Sequence, residues 1–330
     1  MGVLRKIYLL LFPLIFAGCT EAFMPDIDTK PVLCLNSLIT AGEPIEVSVT
    51  HTWLYTDEEG SRNNQVHDAE VSIYANGTKV GDDYLPQECD RIRIVAESPT
   101  YGSAEAEVTV PVSAPVELVN WDAEITGSWN WNKTEFYYWI GLRAKITVHD
   151  PAGIENYYNF SYKGFPKNEQ TDDDMDKSQV LFNPGQFFYE AEPIFSEHIS
   201  GLDEISGSSS FGFTFFTDRQ FSGKQYTLNI QLNNAFFEII DNGDLVLTDD
   251  MLDCGFILIL SSVSQSYYNW SNYQWNVENG ILGDLGEIGM VDPVWGYSNV
   301  STGAGVVAAQ ARVSYTINLK DLLKSEISGQ

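Results

Sequence analysis

The chain has 330 residues, with 18 basic and 46 acidic side chains and a formal net charge of −28 at neutral pH. Such a surface repels nucleic acid and anionic lipid headgroups, and it suits neutral sugars, cationic ligands, divalent ions or a basic patch on a partner protein. With 44% hydrophobic and 13% aromatic residues there is material for a large core, and the length predicts about two domains.

The first element is an export signal. Arg5-Lys6 precede an apolar run over 7–16, interrupted only by Pro13, which leads into Phe16-Ala17-Gly18-Cys19. A basic start, a short apolar stretch and small residues before a Cys describe lipoprotein processing over 1–18, with Cys19 as the mature, lipidated N-terminus; a plain signal peptide is the alternative. The apolar run is too short to span a bilayer, which takes about 20 residues. Acyl chains on Cys19 would hold a soluble body at a membrane, because each buried methylene contributes about 0.8 kcal/mol. Residues 19–30 then read as an extended acidic tether, with Glu21, Asp26 and Asp28. This stretch resembles the surface-export signal of Bacteroidetes lipoproteins, which implies the outer face of the outer membrane. Without Arg5 and Lys6, 16 basic residues stand against 46 acidic ones, a mature charge of −30.

Beyond the tether the dominant hydrophobic period is two. Segments 32–39, 45–50, 70–74, 91–97 and 105–110 read as short strands, and Ala75-Asn76-Gly77 supplies a hairpin turn. Their spacing predicts a small sandwich over 31–112. At Pro111-Val112-Ser113-Ala114-Pro115 the pattern stops, because two prolines do not sit in a paired central strand, and a domain boundary is placed there.

The region 116–322 is also mainly β, a sandwich or a barrel-like body. Strands are expected over 144–149, 157–162, 212–217 and 255–262, and a last strand or hairpin over 306–319. The clean alternation of residues 225–232 puts Tyr226, Leu228, Ile230 and Leu232 on one buried face. One helix is expected over 264–275, where Val263, Tyr267, Trp270 and Gln274 share a face by their spacing. Segments 165–179 and 199–210 read as long loops. Of the cysteines after Cys19, Cys34 and Cys254 lie in apolar runs and read as buried thiols, while Cys89 sits between two acids; at most one disulfide can form.

Several segments together resemble one family. They are Pro31-Val32-Leu33-Cys34-Leu35-Asn36-Ser37-Leu38-Ile39-Thr40, His67-Asp68-Ala69-Glu70-Val71-Ser72-Ile73-Tyr74, and Glu107-Val108-Thr109-Val110-Pro111. Further along stand Tyr157-Tyr158-Asn159-Phe160 and the "Asp, x, x, Phe, x, Gly" segment Asp218-Arg219-Gln220-Phe221-Ser222-Gly223. The Tyr267-Tyr268 helix and the turn Asn299-Val300-Ser301-Thr302-Gly303-Ala304-Gly305 complete the set. The family is the Bacteroidetes outer-membrane lipoproteins called domain of unknown function 4249. The chain departs from it at Ser37, where glycine is common, and at Ala308, where an aromatic often follows the glycine pair. The resemblance implies an immunoglobulin-like first domain and a lipoprotein often encoded beside TonB-dependent receptors. It brings no catalytic residues.

Motifs for chemistry are sparse. Gly303-Ala304-Gly305-Val306-Val307-Ala308 fits G-x-G-x-x-A, but a dinucleotide site needs a βαβ context, and here a turn into a strand is expected. Gly280, Gly283, Gly286 and Gly289 read as a loop among acids. His51, His67, His149 and His198 are isolated in sequence and read as solvated or core-edge residues. Asp172, Asp174 and Asp176 have the alternate-acid spacing of a calcium loop, but Lys177 replaces the required glycine and the twelfth-place Glu is missing; a solvated acidic loop is the reading, with Ca2+ the alternative. Trp121, Trp129, Trp131 and Trp139 concentrate aromatics after the boundary. They form either a platform for sugar rings or a partner, or core and interface packing. No metal site and no cofactor beyond the lipid is expected. The functional expectation is a non-enzymatic, surface-anchored accessory or ligand-capture subunit of a TonB-dependent uptake system, with possible glycan or peptide ligands. A stand-alone glycan-binding lipoprotein is the alternative, and a hydrolase with a concealed site is third.

Overall fold

The structure, a computed structural model, describes residues 30–53, 64–129, 133, 136–165, 180–181, 192–196, 213–239, 255–279, 296–318 and 320–321. Residues Val32–Gln330 form one compact unit, and Met1–Pro31 is a unit of its own. Cys19 and residues 20–29 of the expected tether lie outside the described residues, as do Asp172, Asp174, Asp176, Trp131 and the glycines over 280–289.

The fold is mainly β, with three open sheets, one described α-helix and no closed barrel among the described residues. The strands are β1 Leu33–Thr40, β2 Ser48–His51, β3 Glu70–Ala75, β4 Thr78–Val80, β5 Arg91–Ser98, β6 Gly102–Thr109, β7 Val116–Trp129 and β8 Phe136–His149. They continue with β9 Tyr157–Phe165, β10 Val180–Leu181, β11 Phe215–Thr217, β12 Gln225–Ile239, β13 Gly255–Val263 and β14 Val307–Asn318; helix α1 is Gln265–Asn279. The β3–β4 turn uses Asn76 and Gly77, with φ of 52° and 83°, the twist that suits a two-residue hairpin.

The large sheet has the order β11-β9-β13-β14-β1-β2, and β1 runs parallel to β14. Two four-stranded sheets, β4-β3-β5-β6 and β10-β12-β8-β7, accompany it. The register decides how they pack. Leu33, Leu35 and Ile39 of β1 share a face with Val307, Ala309 and Ile317 of β14, and with Leu258 and Leu260 of β13 and Phe160 of β9. Both hydrophobic cores lie on that face. One joins Leu33, Leu35, Val307 and Ala309 to Ile92, Ile94, Ala104 and Ala106. The other joins Phe160, Leu258 and Ile317 to Ile146, Val148, Leu228 and Ile230. The two small sheets thus lie side by side on one face of the large one. Each fully buried Leu, Ile or Phe contributes about 1.5–3 kcal/mol relative to exposure.

The first sandwich is completed by β14, from the far end of the chain, and β1 in turn belongs to the sheet that carries β9 and β13. The break at residues 111–115 carries no strand, yet the large sheet holds strands from both sides of it.

Helix α1 lies across the opposite face of the large sheet. Its Tyr267 meets Phe215 edge-on at 5.1 Å between ring centroids, Tyr268 meets Tyr157 at 5.0 Å, and Trp275 meets Phe213 at 5.6 Å. The packed stripe is Tyr267, Tyr268, Ser271 and Trp275, rotated from the expected Val263, Tyr267, Trp270 and Gln274, and it leaves Trp270 at the surface. The sequence QSYYNWSNYQWNVEN has little helix propensity, so the sheet it lies on sustains the helix.

Candidate functional site

Two local devices build a trough on the helix-bearing face. The first is the start of α1. Ser264 Oγ accepts hydrogen bonds from the Tyr267 N–H at 3.3 Å and the Ala309 N–H at 3.0 Å, which caps the helix and ties it to β14. Ser266 Oγ adds a bond to the Val307 carbonyl at 2.9 Å.

The second device is the turn 299–306. Asn299 behaves as a short strand beside β14: its Nδ2 donates to the Val307 carbonyl at 2.8 Å, and its Oδ1 accepts from the Val307 N–H at 2.9 Å. Ser301 exchanges both backbone bonds with Glu105 of β6, and Ala304 then bonds the Leu33 carbonyl and the Leu35 N–H of β1. The segment therefore stitches one layer of the sandwich to the other. A Cβ on Gly303 would fall 2.5 Å from the Leu33 carbonyl oxygen, and one on Gly305 2.3 Å from that of Leu35. Close passage of β1 explains the glycine pair, and the turn runs directly into β14, as its β context predicted.

The trough lies between α1 and the β1–β2 edge and has a volume of about 530 Å³. Its floor is Leu38, Ala308 and Val306; Tyr267 and Trp270 form one wall and the segment 46–48 the other. Leu38 is 43% exposed and Trp270 36%, so an apolar surface is open to solvent. Asn36, Glu46 and Ser48 form a polar rim. The Asn36 side chain is oriented by accepting the Val306 N–H at 3.0 Å, and Ser37 Oγ holds the rim by donating to the Glu46 carbonyl at 2.8 Å. The Asn36 Nδ2, the Glu46 carboxylate and the Ser48 and Tyr267 hydroxyls make no hydrogen bond among the described residues. Burial raises the Tyr267 hydroxyl pKa, partly offset by nearby Arg312, so it stays protonated and can donate.

The other buried polar groups serve different ends. Asp150 accepts from the Tyr158 hydroxyl at 2.5 Å, Asn156 Nδ2 at 3.1 Å and the Gly223 N–H at 2.7 Å. Burial pushes the Asp218 carboxyl up, with Asp150 adding to the effect, and Asn156 bridges the two acids. This node locks the β8–β9 and β11–β12 connections. Phe221 enters the core from the same turn, and Gly223 takes a φ of 70°, which accounts for the "Asp, x, x, Phe, x, Gly" segment. Glu192 is buried beside β12: its Oε1 lies 3.5 Å from Asn229 Nδ2, its Oε2 has no partner among the described residues, and burial pushes its carboxyl up to about 7.

The residues singled out in the sequence do not converge on this trough. Trp121 packs partly buried against the second core and lines a separate cavity of about 290 Å³ on β7, β8 and β12. Trp129 is 48% exposed at the end of β7. Trp139 stands opposite Thr126 in register, and its side chain lies outside the described residues. His51 is stacked on Tyr101 at 4.5 Å, Cys34 is half-buried with its thiol pKa raised by burial, and Cys89 is exposed. No group of three or more metal-ligating side chains occurs among the described residues.

Trough residues come from β1, the 41–48 segment, α1 and the approach to β14, so no local motif marks them. One signal was present. Leu38 is out of phase with the buried positions of β1, an apolar residue on a strand face that alternation assigns to the outside.

No curated protein and no solved structure matches the chain significantly. A family model described as a domain of unknown function, DUF4249, matches residues 20–316, most of the chain. The chain belongs to the DUF4249 family.

Proposed function

We propose that this chain is a lipid-anchored capture subunit on the outer face of the outer membrane, which binds a small ligand and passes it to a TonB-dependent uptake receptor. The observation that carries this reading is the open trough, an apolar floor ringed by hydrogen-bonding groups that have no partner among the described residues. The lipoprotein signal ending in Cys19 supports the anchor, and the strong negative charge supports a neutral or cationic cargo. Its role is binding and delivery rather than catalysis: the buried Asp150 and Asp218 carboxylates are engaged in holding connections of the fold.

The test is crosslinking on intact cells, affinity purification of the tagged chain and mass spectrometry of what accompanies it. A TonB-dependent receptor in defined stoichiometry is the expected result, and Cys19→Ala should release the chain from membranes. Recovery of the chain alone would sink the uptake role. The exposed Trp129 favours a second reading, a stand-alone glycan-binding lipoprotein. On that reading Trp129→Ala with Trp131→Ala abolishes retention on polysaccharide.

A further inference from the structure

We infer that the trough is a site for a neutral saccharide, with a sugar ring lying on Trp270 and Leu38 and its hydroxyls meeting Asn36, Glu46, Ser48 and Tyr267. The inference rests on the capture reading above and gives it a ligand class.

Each ligand class would make its own demand on the trough. A wholly apolar ligand would strip water from the Glu46 carboxylate and Asn36 Nδ2 without replacing its hydrogen bonds, which is unfavourable. An anion would meet the Glu46 carboxylate and no Lys or Arg among the described lining residues, and nearby Arg312 is ion-paired with Glu43, on a chain of net charge −28. A peptide added as a strand would need the outer edge of β2. That edge is occupied at Thr50 and His51, where the His51 N–H bonds the Asn64 carbonyl and Thr50 bridges Gln65, which leaves at most Ser48 and Val49 of the strand for such a peptide. A pyranose ring meets none of these objections. One face presents C–H groups that suit the half-exposed indole and Leu38, and its edge carries hydroxyls that both donate and accept. The rim offers a fixed donor in Asn36 Nδ2, an acceptor in Glu46 and two hydroxyls in Ser48 and Tyr267, a mixed set that matches hydroxyls better than a point charge. Ala308 keeps the floor low: it is 4% exposed directly beside Leu38 in register, and a larger side chain there would occupy the space the ring needs.

The test uses the full mature chain in a detergent without a sugar headgroup. Calorimetric titration is run with α-glucan, β-glucan, xylan and mannan hexasaccharides, and with a Lys-rich peptide. Trp270→Ala removes the platform at the surface, Ala308→Phe fills the floor, and Leu85→Ser, at an exposed position outside the trough, is the control; unfolding curves verify that each variant folds. The expected result is binding of at least one saccharide, weakened at least about tenfold by Trp270→Ala and by Ala308→Phe and unchanged in the control. That affinity should also be insensitive to salt, since the ligand is uncharged. Saccharide binding that neither trough variant weakens would overturn the site. Peptide binding that is salt-sensitive and lost in Trp270→Ala, with no saccharide bound, would overturn the saccharide class and leave capture in the trough standing. If no probe depends on Trp270, both the inference and the capture reading fail.

Discussion

Replacing Gly305 with Ala is expected to destabilise the fold by about 4 kcal/mol, from two separable causes. The residue has a φ of 109°, a region where a Cβ introduces strain of about 1–3 kcal/mol. The added Cβ would also lie 2.3 Å from the Leu35 carbonyl oxygen, 2.8 Å from its nitrogen and 2.9 Å from its carbonyl carbon. All three are backbone atoms of β1, which has no rotamer to escape into, and overpacking of this kind costs about 1–3 kcal/mol. Relief requires the turn to move away from β1, and that stretches the Leu35 N–H to Ala304 carbonyl bond, now 2.8 Å. Urea unfolding followed by tryptophan fluorescence gives the free energy. In a thermal melt the loss corresponds to roughly 8 °C, at about 2 °C per kcal/mol for a chain of this size. Two companions divide the effect. Gly303→Ala meets the Leu33 carbonyl oxygen at 2.5 Å without a left-handed φ and should cost about 2 kcal/mol. Gly153→Ala has a φ of 99° and nothing within 4 Å of its Cβ, so it isolates backbone strain. If Gly305→Ala costs no more than Gly153→Ala, close passage of β1 is not what demands glycine, and the account of the turn is wrong.

Two further substitutions test the polar interior. Asn299→Ala removes both side-chain bonds to Val307, a residue with 0% exposure, and leaves its N–H without that partner; a loss of about 2–4 kcal/mol is expected in urea, and a change under 1 kcal/mol would show that the turn holds without it. Glu192 tests pH dependence. Its folded pKa of about 7 lies above the unfolded value near 4.5, so the native state binds the proton more tightly, and stability falls as pH rises from about 4.5 through 7. The span corresponds to about 3 kcal/mol. Glu192→Gln should remove that slope, so the melting temperature of the variant should gain on the wild type between pH 5 and pH 8. Parallel curves would refute the assignment.

A strand is legible in its own residues where its two faces set its period. Residues 91–97 alternate cleanly because one side meets a core and the other meets water, and β5 is Arg91–Ser98. Residues 225–232 behave in the same way, although β12 continues to Ile239 beyond a register shift between Leu232 and Ala235 that hides the alternation. Strand β7 carries no local strand signal. Its apolar positions are interspersed with Asn120, Asp122, Gly127 and Ser128, and pairing with β8 makes it a strand. The helix was recognised by its aromatic spacing, but its rotation was not, because residues on every side of it are aromatic and only the positions of Phe213, Phe215 and Tyr157 choose which are covered.

By itself the sequence determined the β-rich class, the glycine and asparagine turns, the family and the expectation of a lipid anchor at Cys19, all properties carried by contiguous residues. Tertiary structure alone decided that β14 pairs beside β1, because a parallel pairing between the two ends of a chain leaves no mark in either segment. The trough follows from that pairing. It brings Ala308 beside Leu38 and, through the Ser264 cap, sets Tyr267 and Trp270 over them, so a trough lined from across the chain exists only once the large sheet has formed.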